Sequence, residues 1–228
     1  MKNLKPIKFA SIFLFTLLVI TGCLKDDTSP ILPQAGFTMI NLYSNANFII
    51  HRADNNYIQT MNNPLGYKQI DFAYLYPGVR KIQSIDNQNK VLIDTAYTIK
   101  DSLLYTSFLF DKSSNKAGQL LVEDIITNKS DNNPSIRFLN FDKSKIVDVF
   151  FDNEKVFAER GFDGESIDKS NFSFIPKTAG KRKIIIKDAS ETKIAEKEFE
   201  FTNKTYYSIV FIESNDTYEI LIYTQYKF

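Results

Sequence analysis

The sequence predicts an all-β chain built as two tandem β-sandwiches behind an N-terminal leader. Three observations predict it. Apolar and polar residues alternate with a period of two, as strands require. Turn-forming residues cut these segments into short strands spaced about ten residues apart, a sandwich pattern. The chain also repeats itself at an offset of 102 residues.

The repeat is clearest from Gly78 and Gly180 onward. Arg80-Lys81-Ile82 falls on Arg182-Lys183-Ile184, Asp86 on Asp188, Leu92 on Ile194 and Asp94 on Glu196. Tyr97 meets Phe199, Ile99 meets Phe201, Tyr105 meets Tyr207, and Phe108-Leu109-Phe110 meets Val210-Phe211-Ile212. Upstream, with small loop differences, Met39-Ile40-Asn41 matches Phe138-Leu139-Asn140, and Asp54-Asn55 matches Asp152-Asn153.

Within each copy the pattern is that of strands. Ala195, Phe199 and Phe201 share one face, and Glu196, Glu198 and Glu200 the other. Leu103 to Phe110 and Tyr206 to Ile212 are nearly continuous apolar runs, which predicts central strands covered on both sides. Pro77-Gly78, Asp86 to Asn89, Lys100-Asp101, Asp188-Ala189-Ser190 and Thr202-Asn203-Lys204 are turns. Strands are expected near 37–43, 46–52, 56–59, 69–76, 79–86, 90–100, 103–111 and 118–124. In the second copy they fall near 135–141, 146–151, 154–157, 171–176, 181–188, 193–201, 205–213 and 217–226. The first domain then spans 36–126 and the second 135–228, with a polar linker at 127–134 ending on Pro134.

The leader has the grammar of a secretory signal. Lys2, Lys5 and Lys8 precede an uncharged run from Phe9 to Ile20, too short to span a bilayer comfortably. The following Ile20-Thr21-Gly22-Cys23 resembles the lipobox of bacterial lipoproteins. That resemblance implies cleavage after residue 22, diacylation of the Cys23 thiol and outer-membrane attachment through acyl chains. Several chains give durable anchoring where one gives only marginal binding. Residues 23–35 form a polar tether, in which Lys25-Asp26-Asp27 resembles the surface-export signal of Bacteroidota-type lipoproteins. It implies an outer membrane location facing the cell exterior; the alternative is a tether facing the periplasm.

Cleavage removes three lysines and no acid, so 25 of the 28 basic side chains remain against 27 acidic ones, a net charge of −2. This balance offers no basic footprint for nucleic acid. Cys23 is the only cysteine, so no disulfide is available and each domain must rest on its apolar core.

One further resemblance appears in the order of the elements. A strand ends in Asn41 or Asn140, and another leads to Asp54-Asn55 or Asp152-Asn153. A Pro77-Gly78 or Ala179-Gly180 turn follows, then a charged hairpin and an aromatic-rich strand entered through Tyr105 or Tyr207. Over most of residues 37–226 this resembles the bacterial family known only as domain of unknown function 4397. The resemblance implies tandem immunoglobulin-like or transthyretin-like sandwiches on a lipoprotein, and it brings no established activity.

Catalytic chemistry finds little to work with. His51 is the only histidine and no Gly-x-Ser-x-Gly motif is present. It reads as a strand position with a partly exposed imidazole, facing Val149 or Phe150 in the repeat. No cofactor is expected. One histidine cannot make a zinc site, and Asp131-Asn132-Asn133, Asp152-Asn153-Glu154 and Asp163-Gly164-Glu165 lack EF-hand spacing and read as turns. Tyr57, Tyr67, Tyr74, Tyr76 and Tyr223 are candidate ligand platforms, since Tyr pairs an apolar ring with a wet hydroxyl. The loop from Ala158 to Ser170, longer than its counterpart near Thr60 to Lys68, is a candidate binding loop, with a plain surface insertion the commoner explanation. The expected role is non-enzymatic: a surface module for adhesion, assembly or ligand capture. The partner is a surface protein or a glycan, the glycan-binding accessory of an uptake system being the alternative and a hydrolase the remote one.

Overall fold

In the computed structural model, which describes residues 32–126, 132–166 and 169–227, the two repeats fold into two β-sandwiches of one topology. The first contains β1 (Ala35–Leu42), β2 (Phe48–Ala53), β3 (Asn56–Tyr57), β4 (Leu65–Gly66), β5 (Ile70–Leu75), β6 (Gly78–Asp86), β7 (Val91–Ile99), β8 (Leu104–Ser113) and β9 (Lys116–Asp124). The second contains β10 (Ser135–Asn140), β11 (Val147–Phe151), β12 (Glu154–Arg160), β13 (Ile175–Pro176), β14 (Gly180–Asp188), β15 (Lys193–Phe201), β16 (Thr205–Ser214) and β17 (Thr217–Lys227). Cys23, Lys25, Asp26 and Asp27 lie outside the described residues.

In the first sandwich, the sheet β5-β1-β8-β9 packs on β3-β2-β6-β7, with β4 added to β2. In the second, β13-β10-β16-β17 packs on β12-β11-β14-β15. Strand β1 runs antiparallel to β5 and parallel to β8, and β10 repeats this against β13 and β16. Each sandwich has its own core. Phe37, Met39, Leu75, Ile82, Ile99 and Tyr105 belong to the first, and Ile136, Phe138, Val149, Ile184, Phe201 and Phe211 to the second.

The alternate faces of β1, β8, β10 and β16 do something else. Ile40, Leu42, Phe108, Phe110 and Val122 join Leu139, Phe141, Phe172, Val210, Ile212, Leu221 and Tyr223 in a third core between the sandwiches. This explains the continuous apolar runs: these strands are covered on one side by their own partner sheet and on the other by the neighbouring sandwich. Residues from Pro33 onward therefore form one compact unit.

A polar knot is buried beside this third core. Arg137 is fully buried; its Nη1 donates to Asp124 Oδ1 at 2.5 Å, Nη2 to Thr106 Oγ1 and Gln225 Oε1, and Nε to Ser208 Oγ. Asp124 Oδ2 accepts from Tyr226 OH at 2.6 Å and from Thr106 Oγ1 at 2.5 Å. Two unpaired charges here would be prohibitive; paired and hydrogen-bonded, they are tolerated and fix how the two halves meet.

Two elements depart from the sequence expectation. Residues 171–176 do not make a full strand: Lys169–Phe172 is a 3-10 turn, and only Ile175 and Pro176 pair with β10. Proline cannot donate to a ladder, and Asn171 O is taken by Arg160 Nη2. The long loop after Ala158 is also tied down at two of its described residues. Asp163 is buried, accepting the Asn140 N–H at 2.7 Å and both contacts from Arg160 Nη2, while Phe172 enters the third core. Asp163 and residues 169–172 lie against the outer edge of β10. In the first sandwich that place is taken by the backbone leading into β5, where Asn41 N donates to Gln69 O.

Candidate functional site

The repeated Asp–Arg–Gly frame builds one end of each sandwich. Gly78 and Gly180 stand at φ +115° and +111°, a region that side chains with a Cβ rarely adopt. Asp54 and Asp152 both turn at φ 55°. Asp54 accepts the Lys81 N–H at 3.0 Å and Arg80 Nη1 at 3.1 Å; Asp152 accepts the Lys183 N–H at 3.0 Å and Arg182 Nη1 at 3.3 Å. The backbone N–H of Lys81, and behind it Arg80, hold the Asp54 carboxyl below the usual carboxylate range. Arg80 also donates from Nε to Tyr76 O at 2.8 Å and from Nη2 to Pro77 O at 2.6 Å.

On this frame the first sandwich carries three exposed tyrosines. Tyr57, Tyr74 and Tyr76 are 60%, 63% and 60% exposed, and all three line one groove of about 360 Å³ with Asp54, Asn56 and Arg80. The groove is the open side of the sandwich, where edge strand β3 of one sheet faces edge strand β5 of the other. Ala53, Ile58, Ala73 and Leu75 form its apolar floor. The Arg52 guanidinium sits over the Tyr57 ring at 4.8 Å, and Phe72 meets Tyr74 edge-on at 5.0 Å, so two of the rings are held in place.

The second sandwich serves as an internal comparison. Matching strand registers put Lys155 at the place of Tyr57, Pro176 at that of Tyr74 and Thr178 at that of Tyr76. The frame is thus common to both copies, and the tyrosines belong to the first alone. The fold does not require them. No protein-family model matches the chain, and no curated protein matches it in sequence.

The other two candidate tyrosines lie elsewhere. Tyr67 is half-buried and lines a separate cavity of about 230 Å³ at the seam between the sandwiches, beside Phe110, Phe141 and Ile212. Tyr223 is only 6% exposed, so it cannot be a platform: its ring fills the third core, its hydroxyl donates to Lys68 O, and burial pushes its pKa up. Alternation along β17 placed it on the covered face, which the sequence could not distinguish from an exposed one.

His51 is fully buried rather than partly exposed. It pairs across the sheet with Ser84, and register places it opposite Val149 in the repeat, where the partner is Ile186. Its Nδ1–H donates to Gln59 Oε1 at 3.1 Å, and Gln59 Nε2 donates in turn to Asp71 Oδ2 at 2.9 Å. Desolvation pushes its pKa down to about 4. Enclosed in this way, its imidazole reaches no groove. Asp152 and Asp163 are held by arginines, as turn and packing residues. Among the described residues no group of three or more His, Cys, Asp or Glu side chains is placed to hold a metal ion.

Sequence reasoning singled out the three tyrosines but not Asp54, Asn56 and Arg80 beside them. The available signal is their repetition: Asp54 and Arg80 recur as Asp152 and Arg182.

Proposed function

We propose that this chain is a non-catalytic binding module, lipid-anchored at Cys23 to the outer face of the outer membrane, which captures its ligand in the tyrosine groove of the first sandwich. The observation that carries the reading is the contrast between the copies. Three tyrosines more than half exposed surround a frame that the second copy builds without any of them. Exposed aromatics clustered on rigid strands are a costly arrangement for a surface without a partner, and Tyr is enriched where proteins bind. The lipobox-like Ile20-Thr21-Gly22-Cys23, the Lys25-Asp26-Asp27 run and the resemblance to tandem lipoprotein sandwiches support the anchoring half.

Labelling with a palmitate analogue and protease shaving of intact cells test that half together. Wild-type chain is expected to take up label and be digested from outside. Cys23→Ala is expected to lose the label, and replacing Lys25, Asp26 and Asp27 by alanine to leave labelled, protected protein. Wild-type chain that takes up no label, or wild-type chain that is labelled yet protected from the protease, would overturn the assignment.

A further inference from the structure

We infer that the groove between β3 and β5 is a binding site for a neutral oligosaccharide, seated against Tyr57, Tyr74 and Tyr76. This rests on the groove being the binding face, and it names the ligand class.

Charge balance is the first reason. The only charged side chains lining the groove are Asp54 and Arg80, and they are paired with each other. Arg80 also holds two backbone carbonyls, so each of its three nitrogens already carries a bond, and its charge is offset by Asp54 before any phosphate or carboxylate arrives. The Asp54 oxygens are engaged by Lys81 N–H and Arg80, so an ammonium ligand would meet an already neutralised carboxylate. What remains is neutral and bifunctional: three phenol hydroxyls, the Asn56 amide, and the unused lone pairs of Asp54. A sugar ring presents that same mixture, with hydroxyls around its edge and a C–H face that packs on an aromatic ring.

The second reason is preorganisation. With Tyr57 held by Arg52, Tyr74 by Phe72, and the backbone of Tyr76 by Arg80, the platforms lose little freedom on binding. The third reason concerns the main competitor, an extended peptide adding to the β5 edge. The register of β5 on β1 turns the backbone of Ile70, Phe72 and Tyr74 away from the sheet, which would invite such a strand. Yet the middle donor of that edge, Phe72 N–H, is already bound at 2.8 Å by Asp71 Oδ1. The opposite edge, β3, is two residues long. The edge is blunted while the tyrosines stay open.

Titration calorimetry of the full chain tests this with cellohexaose, maltohexaose, mannohexaose and xylohexaose. An oligogalacturonate, a chitosan hexamer and a peptide of alternating Val and Thr are run beside them. Binding of at least one neutral hexamer is expected, weakened about tenfold or more by Tyr57→Ala or Tyr74→Ala, the scale of one lost stacking platform. Tyr76→Thr, which installs the residue the second copy carries at that place, is expected to weaken binding with the melting temperature unchanged. If only a charged saccharide or the peptide binds, and the tyrosine variants abolish it, the ligand class is wrong while the groove stands as the binding face. Saccharide binding untouched by all three variants would remove the groove itself from the reading. Failure of every neutral hexamer would overturn the inference.

Discussion

His51 and Val149 occupy the same place in the two sandwiches, and only one of them titrates. Buried between sheets, His51 resists protonation until about pH 4, whereas in an unfolded chain it titrates near 6.5. Between those values the unfolded chain binds a proton that the folded chain refuses. Stability from this residue is therefore complete above pH 6.5 and is lost as pH falls toward 4, by about 3 kcal/mol in all. Urea melts at pH 7 and 4.5 check it: wild type is expected to lose about 2–3 kcal/mol more on acidification than His51→Val. Equal losses would mean that His51 does not set the acid limit. The imidazole was visible in the sequence but its burial was not, because a strand residue can face either side of a sheet and one histidine carries no period.

At the scale of elements, the repeat in sequence is a repeat of hydrogen bonds. Lys100 N–H donates to Tyr105 OH and Thr202 N–H to Tyr207 OH, both at 3.1 Å. Asp86 and Asp188 cap equivalent hairpins, and Asn41 and Asn140 each bind the backbone two residues ahead. These residues were legible as matches because each is demanded by local geometry that recurs in both copies. The Gly180 turn isolates one such demand. A Cβ there meets nothing within 4 Å, so Gly180→Ala is expected to cost about 1–3 kcal/mol through backbone strain alone. The midpoint of a urea melt measures it; a neutral substitution would show that the turn relaxes freely. Where an element's fate depended on neighbours, the expectation slipped. Residues 171–176 carry strand-like Phe172, Phe174 and Ile175, yet the Arg160–Asp163 contact folds the preceding segment over β10 instead.

For the whole molecule, the decisive feature is the third core with its Arg137–Asp124 knot. Since Ile40, Phe108, Leu139 and Val210 serve both sandwiches, the halves are expected to unfold together in one calorimetric transition. Asp124→Ala should lower that transition by about 3–5 kcal/mol, because it leaves a buried guanidinium without its partner. Replacing Asp124 and Arg137 together by Leu and Met should cost less than the single change. Two separate transitions would show that the sandwiches are independent and merely touch.

The sequence by itself determined the β class, the two copies, the order of their strands and the turn residues that define them. It also singled out Tyr57, Tyr74 and Tyr76. All of these rest on local rules, namely side-chain alternation, the backbone preferences of Gly, Asp and Asn, and self-similarity along the chain. Only the tertiary structure decided which face of each central strand meets its own core and which meets the other sandwich. It alone buried Tyr223 and His51, and it alone brought Tyr57 together with Tyr74 and Tyr76 around one Asp–Arg pair. Those outcomes depend on which sheets come face to face, and no period within a single strand encodes that.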